Sequence, residues 1–143
     1  MKRGNRWFSV QLVHILFICI LLSALPGCGG DDDGDDSLSG TYVGTIQDAF
    51  AGTGTLQVTV SQSGSSLSGT FQSTFANPQQ NNSGSISGTV NGEVVTVTLT
   101  PSVAAFCPFN ATLTREDDDE LTGTYVAFNC TVADNGTIDI TRQ

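Results

Sequence analysis

The stretch Gly54-Thr55-Leu56-Gln57-Val58-Thr59-Val60-Ser61-Gln62 decides the fold of this chain. Leu56, Val58 and Val60 alternate with Thr55, Gln57, Thr59 and Ser61, and a strict period of two puts one set on each face of a β-strand. One face is core and the other is wet, the pattern of an antiparallel sheet. Outward from this stretch the same alternation runs from Leu38 to the end of the chain, cut by Gly, Asn, Ser and Asp, with no stripe at helical period. It predicts strands over about 38–47, 54–62, 66–75, 84–91, 93–100, 108–115, 120–129 and 136–142.

A repeat runs through these segments: Leu38-Ser39-Gly40-Thr41-Tyr42, Leu67-Ser68-Gly69-Thr70-Phe71, Ile86-Ser87-Gly88-Thr89-Val90 and Leu121-Thr122-Gly123-Thr124-Tyr125. Each sets two large apolar residues and a Gly on the inner face. An inward Gly leaves room where a strand bends sharply or a neighbouring aromatic lies across it. Closure also removes the edges that would make such Thr-rich strands sticky. The expectation is an all-β domain: a single antiparallel up-and-down barrel of about eight strands, with a β-sandwich as the alternative. Ser63-Gly64 and Asn91-Gly92 mark hairpins, the latter because both residues tolerate positive φ. Asn135-Gly136 opens the last strand and Glu116 to Glu120 form a charged reverse connection. The expected interior comprises Leu38, Tyr42, Ile46, Leu56, Val58, Val60, Leu67, Phe71, Ile86, Val90, Leu113, Leu121 and Tyr125.

The chain before Leu38 has a different character. Lys2, Arg3 and Arg6 precede a run from Phe8 to Leu25 that is almost wholly apolar, which reads as an export signal. Leu25-Pro26-Gly27-Cys28 resembles the lipobox of bacterial lipoproteins, with Leu three residues before the Cys and a small residue just before it. The resemblance implies that residues 1–27 are a removed signal peptide and that Cys28 is acylated, palmitate included. Residues 28–37 then form a tether and 38–143 the β-domain. An uncleaved membrane anchor is the alternative, since about 20 apolar residues span a bilayer. Multiple acyl chains on one Cys would hold the domain stably on a membrane. Gly29 stands where an Asp favours inner-membrane retention in that family, so the resemblance implies the outer membrane, on its periplasmic face or at the cell surface. The tract 29–37 fails the EF-hand pattern, because Gly34 is misplaced and Tyr42 stands where the bidentate Glu belongs. It reads as a solvated tether.

Once residues 1–27 are gone, the remaining basic side chains are Arg115 and Arg142 against all fourteen acidic ones, a formal charge of −12. So acidic a chain is a poor partner for nucleic acid. With Cys19 in the signal and Cys28 lipidated, Cys107 and Cys130 remain as one pair in an oxidising compartment, and a disulfide is expected.

Catalysis is not expected. His14 and Lys2, the sole His and Lys, lie in the signal, which removes the usual general bases, Schiff-base amines and zinc ligands. Asp48, Glu93, Asp134 and Asp139 are scattered and read as solvated surface. The sequence implies no cofactor and no metal.

The domain resembles the small up-and-down barrels of the lipocalin and avidin kind, and small secreted bacterial lipoproteins of no known activity. The likeness is one of architecture: Trp7, the sole Trp, lies in the signal, so an avidin-type biotin site is not implied. The functional expectation is a membrane-anchored, non-catalytic barrel of the cell envelope acting in interaction or structure. The alternative is a binding module for a small apolar or amphipathic ligand inside the barrel, lined by Tyr42, Phe71 and Tyr125. Phe106, beside the expected disulfide on one of the two longest connections, is the further contact candidate. A protein partner or an apolar small molecule fits these readings.

Overall fold

The computed structural model describes residues 37–131 and 133–143. The readings of residues 1–36, including the signal, Cys28 and most of the tether, lie outside the described residues.

Eight strands follow one another: β1 (Gly40–Asp48), β2 (Gly52–Ser63), β3 (Ser66–Phe75), β4 (Asn82–Asn91), β5 (Val94–Pro101), β6 (Phe109–Asp117), β7 (Glu120–Ala127) and β8 (Asn135–Arg142). Every consecutive pair is antiparallel, and β1 pairs with β8 from Tyr42↔Arg142 to Asp48↔Gly136, so the sheet is a closed barrel. That last ladder excludes the sandwich. A register shift between Arg115 and Asp117 bends β6 at the entry to its turn.

Two ends result. Both chain termini of the barrel and the tight turns 64–65, 92–93 and 118–119 lie at one, the hairpin end. The connections 49–51, 76–81, 102–108 and 128–134 lie at the other, the loop end. In the turn after β4, Asn91 pairs with Val94 as the last strand residue, and Gly92, at φ +59°, takes the first turn position. The Asn-Gly pair therefore marks the hairpin but sits one residue early; only the Gly uses positive φ.

The expected interior is buried, with Val90 half-buried against it, and Phe75, Val95, Val97, Leu99, Ala111, Ile138 and Ile140 join it. Thr, Ser and Gln dominate the outward face, as in the exposed Thr55, Gln57 and Thr59 of β2. This is the reverse of the apolar-out pattern that a lipid-facing barrel needs. Among the described residues no helix is long and apolar enough to cross a membrane.

Glycines of the repeat leave room for the backbone of a neighbouring strand, whereas the glycines that an aromatic covers lie outside the repeat. A Cβ on Gly69 would run into the Thr59 carbonyl oxygen, and one on Gly123 into that of Thr112, so the strands cross too closely there for any side chain. At Gly54, Gly84 and Gly136 an aromatic ring from the cross-strand partner covers the glycine: Phe75, Phe71 and Tyr125 in turn. Those three rings all lie toward the loop end.

The hairpin end is closed by Arg142. Its guanidinium lies 5.4 Å from the Tyr42 ring centroid, in cation–π range. Nη2 donates to the Ser37 carbonyl oxygen (2.6 Å) and to Tyr42 Oη (2.9 Å), and Nε stands 3.3 Å from Asp119 Oδ1. Tyr42 in turn donates to the Leu38 carbonyl oxygen.

Candidate functional site

The loop end holds a cavity of about 60 Å³, room for more than one water-sized group. Its walls are aromatic. Phe71 and Phe75 reach it from β3, Phe109 from β6, Tyr125 from β7 and Phe106 from the 102–108 connection. Phe109 and Tyr125 meet edge to face, their centroids 5.4 Å apart. Ile46, Leu56, Leu99 and Ile138 form the floor. Beneath it a second, wholly apolar cavity of about 30 Å³ shares Leu56, Leu99 and Ile138 with the first, so these three side chains separate two spaces stacked along the barrel.

Polar groups converge on the upper cavity alone. Asp48, the last residue of β1, accepts from the Phe50 and Ala51 backbone N–H groups through Oδ1 (2.8 and 2.7 Å), which folds the 49–51 turn. Its Oδ2 accepts from the Tyr125 hydroxyl at 2.6 Å. Burial, then the bond to Asp48, pushes the Tyr125 phenol well above its ordinary range. Asp134 lines the same cavity; burial first and the nearby Asp48 charge second raise its carboxyl above the usual value. Ser73, buried between Phe71 and Phe75, Gln80 and Asn82 complete the set. Asn82 Oδ1 and Asp134 Oδ1 are fully buried atoms without a hydrogen-bond partner.

The disulfide Cys107–Cys130, Cα atoms 6.0 Å apart, joins the 102–108 and 128–134 connections. It therefore holds together the two loops that carry Phe106 and Asp134. Phe128 N–H to the Pro108 carbonyl (3.0 Å) reinforces the join, and Ala127 N–H to the Asp134 carbonyl (2.7 Å) closes the 128–134 connection. Elsewhere, a shallow trough on the outer face, bordered by Gln57, Thr59, Thr70 and Gln72, brings together no charged group.

Of the residues expected around a ligand, Phe71, Tyr125 and Phe106 meet at this cavity. Tyr42 does not: it is 0% exposed and tied to Arg142 at the opposite end. Asp48 and Asp134, expected as solvated surface, are corrected to cavity-lining residues. The alternation carried a signal for Asp48, which continues the inward series Tyr42, Gly44 and Ile46. For Asp134, in an irregular connection, no periodicity existed to read. Among the described residues no group of three or more His, Cys, Asp or Glu is placed to hold a metal ion.

No protein-family model matches the chain, and no curated protein is similar to it in sequence. Solved β-barrels are similar to it in fold. EF1p2_mFAP2b bound to DFHBI superposes with a TM-score of 0.65 at 16% identity, covering 74% of this chain and 94% of that one. A redesigned beta barrel, mFAP0, bound to DFHBI, gives 0.62 at 18%, with 73% and 98% covered. Another redesigned barrel, b11L5F_LGL, gives 0.59 at 19%, with 74% and 91% covered. At these identities what the chain shares with them is the closed antiparallel barrel.

Proposed function

We propose that this protein is a non-catalytic binding module that takes a small amphipathic molecule into the loop end of its barrel and is held in the bacterial envelope by lipid on Cys28. The observation that carries the binding reading is the loop-end cavity, where aromatic walls surround a few convergent polar groups, the usual make-up of a small-molecule site. Three of the similar barrels are bound to a small molecule, DFHBI, which agrees with this reading over a purely structural role. A non-catalytic role follows from the lack of His and Lys in residues 37–143 and from a Tyr125 phenol too strongly held in its protonated form to serve as a base. Anchoring rests on the Leu25-Pro26-Gly27-Cys28 motif, and outer-membrane residence on Gly29. The first strand begins at the hairpin end, opposite the cavity mouth.

Native mass spectrometry of residues 29–143, exported behind a conventional cleavable signal, tests the binding reading. An excess mass that disappears on denaturation is expected; identical native and denatured masses, with no small molecule in the denatured extract, would count against it. Metabolic labelling with palmitate tests the anchor: the wild-type chain should take up label and Cys28→Ala should not. An unlabelled wild-type chain would return the N-terminus to the uncleaved-anchor reading.

A further inference from the structure

We propose that the ligand of the loop-end cavity is an amphipathic amine, its ammonium head set against Asp134 and Asn82 and its apolar tail directed down the barrel axis. This rests on the binding reading above and adds the sign of the ligand's charge.

Three observations converge. The charged side chains lining the cavity are both carboxylates, Asp48 and Asp134, and no Lys, Arg or His lines it. The barrel's two cations are held elsewhere: Arg142 closes the hairpin end, and Arg115 pairs with Asp118 (3.0 Å) at the turn there. A fatty acid or phosphate ester would thus bury its charge against carboxylates with no counter-charge, whereas an ammonium would be neutralised. Secondly, of the three fully buried side-chain atoms without a hydrogen-bond partner among the described residues, Arg142 Nε lies at the hairpin end, and the two at the cavity, Asn82 Oδ1 and Asp134 Oδ1, are acceptors. An ammonium brings three donors and no acceptor, which is the complement of that deficit. Thirdly, the cavity is lined by the rings of Phe71, Phe75, Phe109 and Tyr125, aromatic groups whose faces attract an organic cation.

The tail follows from the stacked cavities. Beyond the polar groups, Leu56, Leu99 and Ile138 border both the mouth and the apolar space below, so an alkyl chain advances past these side chains. Asp48 is already occupied by two N–H groups and the Tyr125 hydroxyl, so its part is to fix the site's shape and add negative potential.

The test uses three six-carbon probes that differ in their head group: hexylammonium, hexanol and hexanoate. Each is titrated at pH 7 into ¹⁵N-labelled residues 29–143, a span containing the whole barrel and its core, with amide shifts followed at Ser73, Asn82, Phe109 and Tyr125. Saturable shifts are expected, with hexylammonium about ten-fold tighter than hexanol, as one charge-assisted hydrogen bond allows, and hexanoate weakest. Asp134→Asn should bring hexylammonium close to hexanol, and a dispersed β-sheet amide spectrum shows that the variant is folded. Hexanol equal to hexylammonium, or hexanoate the tightest, would overturn the amine inference and leave the binding reading standing. Absence of saturable shifts with all three probes would remove the binding reading and the inference with it.

Discussion

Asp134 is the residue whose protonation the loop end controls. Burial raises its carboxyl most, the charge of Asp48 from β1 adds to this, and the N–H of Asn135 offsets only part of the rise. Its folded carboxyl titrates above the unfolded value, so between those two values the native state binds more protons than the unfolded one. Stability from this group is complete below the unfolded value and is lost as pH rises through the raised one. Asp134→Asn should therefore be more thermostable than wild type at pH 7, with the advantage shrinking as pH falls toward 4. Parallel melting curves across that range would show that the carboxyl is not perturbed. Tyr125→Phe keeps the ring over Gly136 but removes the donor to Asp48 Oδ2, and a loss of about 1.5–3 kcal/mol in urea denaturation is expected for a hydrogen bond to a charged group.

At the scale of elements, the aromatic–glycine pairs across neighbouring strands place the cavity walls. Tyr125 lies over Gly136 because a Cβ there would sit 2.6 Å from its ring carbon Cζ, and Phe71 lies over Gly84 in the same manner. Gly136→Ala and Gly84→Ala should each cost about 1–3 kcal/mol or more, since both ring and neighbouring backbone must move. Gly64→Ala, in a hairpin where nothing crowds the added carbon, should cost only the strain of its positive φ. Equal losses at all three, measured by chemical denaturation, would contradict the role given to the rings. The disulfide belongs to this scale as well. It brackets the β6–β7 hairpin, and its removal should cost about 2–4 kcal/mol in thermal unfolding. It also releases the loops bearing Phe106 and Asp134, so amide exchange should quicken in 102–108 and 128–134 before it does in the strands.

For the molecule as a whole, closure and polarity decide the outcome. The β1–β8 ladder joins the two ends of the described chain, and Arg142 fastens it at the hairpin end through donors no ammonium can match in shape. Arg142→Lys should lower stability by about 1–2 kcal/mol without altering the cavity at the other end. Much of this was legible in the chain. Period-two alternation fixes which side chains enter the core, the repeated Leu-Ser-Gly-Thr-Tyr pattern marks strands that must curl, and the remaining Cys pair foretells the bridge. These are local properties, set by backbone geometry and composition, and each can be read without knowing what lies beside it. Depth along the barrel is different. Tyr42 and Tyr125 hold the same place in the same repeat, yet the staggered registers carry Tyr125 through Gly136 to Asp48, not to Tyr42. Tyr42 therefore closes one end while Tyr125, 77 residues from Asp48 in sequence, builds the cavity at the other. The sequence by itself determined the strands, their faces and the lack of His and Lys in residues 37–143. Only the tertiary structure decided that Asp48, Tyr125 and Asp134 share one mouth, because their meeting depends on inter-strand register and on loop paths that no periodicity encodes.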